Sequence, residues 1–134
     1  MTSLAVTDAH ALIWYAQDRP KKLGRAARRM FEAMEEGSAL IYVPALVLVE
    51  VGEAAAAGRL ALPSGFEEWT GRLLSSGRCF AVDLTWEIIR RAERLRAIPE
   101  RGDRLIAATA AQLGHPLITR DPAIAAASGV EVIW

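Results

Sequence analysis

The chain has 134 residues, 52% of them hydrophobic and 24% charged, which suits one compact domain spanning residues 1–134 and leaves no room for a second of ordinary size. Its 16 Lys plus Arg balance 16 Asp plus Glu, so no global positive field draws it to nucleic acid or to an anionic membrane, and any such contact falls to a local patch. A single cysteine, Cys79, excludes an internal disulfide framework and a multi-cysteine zinc site, and points to a reducing compartment such as the cytoplasm.

From the N-terminus, Met1-Thr2-Ser3-Leu4 lacks a basic n-region, and Asp8 and His10 interrupt any apolar core, so no export signal is expected. Leu4–Thr7 reads as a buried strand, followed by a helix from Ala9 or His10 with Asp8 as its N-cap. Leu23, Ala26, Ala27, Met30, Phe31 and Met34 recur at the spacing of one helix face, with Arg25, Arg28, Arg29 and Glu32 opposite and Gly37 as the stop. A strand at Leu40–Val43 leads to Pro44, which can open a helix reaching about Ala57 and closed by Gly58. The longest uncharged apolar run, 38–49, is far short of the roughly 20 residues of a membrane span, so no membrane association is expected. Then come a helix over 65–75, a strand at Cys79–Val82, and helices over 85–97 and 103–113, the last closed by Gly114. Strands at Pro116–Thr119 and Val130–Trp134 complete the pattern. Short apolar strands alternating with helices predict a three-layer α/β/α domain with a central, mainly parallel sheet of about five strands. Ligands in such sheets bind beyond the carboxyl ends of the strands, where strand order reverses.

Most acids, such as Glu32, Glu35, Glu36, Glu67, Glu68, Glu87 and Glu93, fall on polar helix faces. Four do not. Asp8 closes the first strand, and Asp121 follows the strand Leu117-Ile118-Thr119 and precedes Pro122. Glu50 lies within Pro44-Ala45-Leu46-Val47-Leu48-Val49-Glu50-Val51-Gly52, a helix that reads as buried all round, where a carboxylate needs an arginine, a proton or a metal. Asp103 opens a helix. Asp8, Asp103 and Asp121 each have an ordinary reading as N-caps. All four, however, can reach one sheet edge, and clustered carboxylates repel unless a cation compensates. Mg²⁺ or Mn²⁺ takes oxygen ligands and can bind a substrate phosphate, so the residues point to metal-assisted phosphodiester hydrolysis.

The segment Val6-Thr7-Asp8-Ala9-His10-Ala11-Leu12-Ile13-Trp14 resembles the first motif of the PIN-domain ribonucleases, in particular the VapC-type toxins of prokaryotic toxin–antitoxin pairs. Val43-Pro44-Ala45-Leu46-Val47-Leu48-Val49-Glu50-Val51 is similar to the second motif and Gly102-Asp103-Arg104-Leu105-Ile106-Ala107-Ala108-Thr109-Ala110 to the third. Leu117-Ile118-Thr119-Arg120-Asp121 resembles the fourth. The resemblance covers nearly the whole chain, and its third motif is the most specific. It implies that Asp8, Glu50, Asp103 and Asp121 form the metal-binding catalytic set, with Thr119 giving a supporting hydrogen bond. It further implies an RNA endonuclease using Mg²⁺ or Mn²⁺, usually a homodimer and held inactive by an antitoxin protein. Two departures stand out: Ile98-Pro99-Glu100-Arg101-Gly102 replaces the more usual proline-aspartate approach to the third acid, and the residues before Glu50 are more aliphatic than the often serine-bearing pattern.

Basic residues concentrate in two segments, Arg19, Lys21, Lys22, Arg25, Arg28, Arg29 and Arg90, Arg91, Arg94, Arg96, Arg101, Arg104, which suit phosphate contacts, although the first suits a solvated helix face equally well. Arg104 and Arg120 adjoin site acids and His10 follows Asp8 by two positions, which makes these three the candidate substrate contacts. Trp14, Tyr15, Trp69, Trp86 and Trp134 suit core or interface better than base stacking, and Trp14 with Leu12 and Ile13 suits a dimer or antitoxin surface. Two other readings stay open: a catalytically inactive PIN-like module that binds RNA or protein, and a nuclease directed at DNA through the same acids. An aspartyl-phosphate enzyme built on Asp8 is disfavoured, because Asp8-Ala9-His10 offers no second acid and the only lysines are Lys21 and Lys22.

Overall fold

The first strand, β1 (Ser3–Thr7), carries three consecutive buried residues, Ala5, Val6 and Thr7. Burial without alternation means that both faces of the sheet are covered at this point, as in a central strand of a parallel α/β sheet. The computed structural model describes the backbone of residues 1–134 and every side chain except that of Pro20. After β1 come α1 (Ala9–Ala16), a 3-10 turn (Pro20–Lys22), α2 (Arg25–Glu36), β2 (Ala39–Pro44), α3 (Ala45–Ala56), α4 (Phe66–Ser75), β3 (Cys79–Val82), α5 (Trp86–Glu93), α6 (Arg101–Leu113), β4 (Leu117–Ile118), α7 (Pro122–Ser128) and β5 (Val132–Ile133).

The five strands order as β3-β2-β1-β4-β5 and every pairing is parallel. Register places Val6 beside Tyr42 on one side and beside Leu117 on the other. The chain leaves β1 toward β2 and β3, then crosses back to β4 and β5, so strand order reverses between β1 and β4. Right-handed crossovers put the helices before β3 on one face and those after it on the other, which gives the expected three layers. Phe31 and Met34 of α2, Val47 and Val51 of α3, and Ile106, Ala107 and Ala110 of α6 are buried in one core with Val6, Ile41, Val43, Leu117 and Ile118. A smaller cluster of Ile88, Ala92 and Ala108 fastens α5 to α6.

Three expectations need correction. The α5 helix ends at Glu93 rather than near Ala97: the following N–H groups close tighter turns, Arg94 onto the Arg91 carbonyl, Leu95 onto Ala92 and Ile98 onto Leu95, and Pro99 keeps Ile98 from resuming the helix. α6 begins at Arg101, two residues earlier than the apolar pattern suggested, so Asp103 is the third helical residue and not the N-cap. α3 is not buried all round: Val47 and Val51 face the core, whereas Val49 is 52% exposed.

Candidate functional site

The reversal point between β1 and β4 is where the chain places its acids. Asp8 leaves β1 in extended conformation; its backbone N–H donates to the Ile118 carbonyl at 3.0 Å, which ties the end of β1 to the end of β4. Its Oδ1 accepts from the Ala11 N–H at 2.9 Å and caps α1. Burial raises the Asp8 carboxyl above its ordinary value, against the lowering effects of the Ala11 bond, the Thr119 hydroxyl and His10. Thr119 is itself buried and its Oγ1 accepts from the Asp121 N–H at 3.3 Å, so this one hydroxyl faces Asp8 and fixes the turn carrying Asp121. Asp121 caps α7 through Oδ1, which accepts from the Ala123 N–H at 2.9 Å, with Pro122 as the first helical residue. The cap readings of Asp8 and Asp121 are therefore correct. They leave each carboxylate a second oxygen.

Glu50 and Asp103 come from facing helices. Glu50 is half-buried on α3, and its Oε1 lies so close to Gly102 that a Cβ there would stand 2.9 Å away. The bare Cα of Gly102 is what admits the carboxylate next to the start of α6. Asp103, one residue on, sits in the first turn of α6, where the helix dipole favours a negative charge. Burial raises the Glu50 carboxyl first and the field of Asp103 second. For Asp103 burial is again the largest cause, followed by Glu100, Asp8 and Asp121. The fields thus join all four acids into one electrostatic group.

Asp8, Asp103 and Asp121 line a cleft of about 390 Å³ together with His10, Thr119 and Arg120. Trp14 and Glu100 also border it; Glu50 acts from outside the lining. Trp14 had suggested a protein interface, and Glu100 stands in the unusual Ile98–Gly102 approach to Asp103 but was not among the candidate acids. Among the described residues the only ion pairs are Arg28 with Glu32 and Arg96 with Glu93, neither in this cleft. Arg104, one of the three candidate substrate contacts, is directed elsewhere: its Nη1 donates to the carbonyls of Ile98 at 2.8 Å and Pro99 at 2.9 Å and holds the α5–α6 loop. His10 is exposed, with its ring tilted against that of Trp14 at 5.7 Å between centres. Leu12, expected on a partner surface with Ile13 and Trp14, is buried in the core.

The donor set matches a hard divalent cation in kind: carboxylate oxygens, with Glu50 and Asp103 raised by the acids around them, and with no cation in an ion pair with them among the described residues. Among the described residues, no three His, Cys, Asp or Glu side chains already converge on a common point. Asp8, Glu50, Asp103 and Asp121 are the residues that could hold such an ion, directly or through waters, several of which Mg²⁺ commonly retains.

Among the described residues no helix is long and apolar enough to cross a membrane. Among curated proteins no sequence relative is found. Among solved structures, the fold is similar to VapBC2 from Rickettsia felis bound to a DNA fragment from its promoter, with TM-score 0.71, 15% identity and 96% of both chains covered. It is also similar to FitAcB from Neisseria gonorrhoeae, with TM-score 0.63, 17% identity and coverage of 96% of this chain and 95% of that one. A toxin–antitoxin complex from Klebsiella pneumoniae gives TM-score 0.60 at 22% identity, with 91% of this chain and 90% of that one covered. The PIN domain family model matches residues 5–130, a span that takes in most of β1, the reversal point and all four acids, and the chain belongs to that family.

Proposed function

We propose that the chain is a metal-dependent endoribonuclease and the toxin of a toxin–antitoxin pair. The observation that carries the reading is the electrostatic group of Asp8, Glu50, Asp103 and Asp121 at the β1–β4 reversal point, with no cation paired to it among the described residues. Mg²⁺ or Mn²⁺ held there would neutralise the acids, supply a water of lowered pKa and stabilise charge on a phosphodiester. The chain's own part is positional. Thr119 orients Asp8 and the Asp121 turn, Gly102 admits Glu50, and Arg120 with His10 offers donors at the cleft wall to a phosphate oxygen.

The solved neighbours described above support a protein partner of antitoxin type. Exposed apolar side chains along β3 and α5, including Phe80, Leu84, Trp86 and Ile89, support a protein-covered face, as a homodimer or an antitoxin complex would require. A toxin of this kind would act in the cytoplasm, a reading that the single cysteine supports.

The test is cleavage of labelled single-stranded RNA and matched DNA by the purified chain with Mg²⁺, Mn²⁺ or chelator, beside Asp8→Asn and Asp103→Asn. Metal-dependent RNA cleavage lost in both variants is the expected result, and cleavage of DNA alone would redirect the activity. The unconverged acids favour a second reading, an inactive module that binds RNA or protein. Inert protein that still binds RNA or a protein partner would establish that reading.

A further inference from the structure

The acidic cleft does not end at Arg120. That residue and Trp14 are shared with a second cleft, about 440 Å³, whose walls also include Lys21, Lys22 and Trp134. The character changes from one to the next. The first is lined by carboxylates; the second has three cations and two indoles, and none of those cations forms an ion pair among the described residues. The aromatics run as a continuous row along both. His10 packs on Trp14 at 5.7 Å, and Trp14 meets Trp134 edge to face at 5.7 Å. Lys22 Nζ lies 5.8 Å from the Trp14 ring centre.

This row is held in place by the fold. Trp134 lies against Gly24, where a Cβ would come within 2.3 Å of the Trp134 carbonyl carbon and 2.5 Å of its ring. The Trp134 carbonyl accepts from the Ala26 N–H at 3.3 Å. Lys21 and Lys22 are exposed, so their charges reach whatever enters.

Unpaired cations give affinity for a phosphate backbone without reading sequence, and aromatic rings take bases that are free to unstack. The same pairing next to an acidic centre solves an electrostatic problem, because four carboxylates by themselves repel a polyanion. We infer that the Trp14, Lys21, Lys22, Arg120 and Trp134 cleft is a subsite for the single-stranded nucleotides flanking the phosphate in the acidic cleft. The inference rests on the nuclease reading only for the name of its neighbour; the binding itself needs no metal and no chemistry.

The experiment uses the full chain carrying Asp8→Asn, in chelator, titrated against a labelled single-stranded RNA of roughly ten nucleotides and the matching DNA, read by anisotropy at several salt concentrations. With Lys21→Ala/Lys22→Ala added, affinity is expected to fall on the order of ten-fold and the salt slope to shrink by about 1.4, the loss of two phosphate contacts on a single strand. Both lysines are exposed, so the fold is unaffected. Quenching of tryptophan fluorescence by the RNA should weaken in Trp134→Phe, which keeps an aromatic against Gly24. Equal loss on RNA and DNA assigns the subsite to the shared backbone; a larger loss on RNA assigns it to RNA. An unchanged affinity and slope, or no binding to either strand, overturns the subsite and leaves the cleft to a protein partner. If the lysine variant binds normally while wild-type protein cleaves RNA with metal, the subsite fails and the nuclease stands. If wild-type protein binds through the lysines but never cleaves, the nuclease reading fails and the subsite stands.

Discussion

Glu50 Oε1 rests over the Cα of Gly102, so that two helices meet at this corner of the site through a glycine and a carboxylate. A methyl at Gly102 would stand 2.9 Å from that oxygen and 3.5 Å from Leu46 Cδ2. The close atom is the tip of a flexible side chain, so the backbone can stay and Glu50 must swing away. Gly102→Ala in a helix also gains roughly 0.5–1 kcal/mol in backbone entropy. The expected outcome is an unchanged or slightly raised melting temperature with metal-dependent cleavage reduced about ten-fold, near the 1.4 kcal/mol that a displaced ligand implies. A calorimetric scan beside a cleavage assay checks it. Equal loss of stability and activity would mean that the contact is only packing.

Asp103 gives a pH prediction. Burial and the neighbouring acids hold its carboxyl above 3.8 in the folded protein. Below that value both folded and unfolded states are protonated and the residue costs nothing. As pH rises above it, the unfolded state ionises first, so stability falls until the folded carboxyl ionises too, after which the cost is constant. Asp103 caps nothing, and Asn removes the charge at similar volume. In chelator, Asp103→Asn should therefore melt a few degrees above the parent at pH 7, and the two should converge below about pH 4. A gap that stays the same at both pH values would contradict the charge account. Adding Mg²⁺ at pH 7 should raise the parent's melting temperature more than the variant's.

The two acids at strand ends were legible because their neighbours follow local rules: an apolar run that stops at Asp8, and an Asp-Pro pair at Asp121-Pro122 that starts α7. Glu50 was legible from its surroundings, since a lone acid in an aliphatic helix needs an explanation. The strand at Cys79–Val82 matched to the residue. What escaped were effects set by distant parts of the chain. Nothing near Arg104 announces that its guanidinium will hold the carbonyls of Ile98 and Pro99 rather than face the acids. The sequence around Gly102 marks a helix start but not the carboxylate from α3 that leans on it. The basic segment containing Lys21 and Lys22 suited a solvated face as well as a binding face, and only the fold brings Trp134 and Arg120 beside it.

Arg104 is expected to act on stability. Its Nη1 makes two hydrogen bonds to backbone carbonyls in the stretch between α5 and α6. Removing them in Arg104→Ala should cost about 1–2 kcal/mol, because those carbonyls lose a charged donor. RNA affinity measured below the melting transition should change little. Urea denaturation beside RNA anisotropy separates the two roles, and a variant of full stability with weakened RNA binding would return Arg104 to the substrate.

Gly24 makes the opposite prediction from Gly102. Its backbone, φ −64 and ψ 163, is open to any L residue, so alanine there carries no conformational penalty of its own. The obstacle is Trp134, whose carbonyl carbon would lie 2.3 Å and ring carbon Cδ1 2.5 Å from the new Cβ. Backbone on one side and an indole on the other cannot both yield cheaply. Gly24→Ala should therefore destabilise the fold by about 1–3 kcal/mol, the usual cost of overpacking. Because the displaced group is also a wall of the cationic cleft, the same variant should lose RNA affinity even where it remains folded. Measuring affinity at a temperature where circular dichroism shows full structure isolates that second effect. Normal RNA binding by folded Gly24→Ala would show that the position of Trp134 does not matter to the ligand.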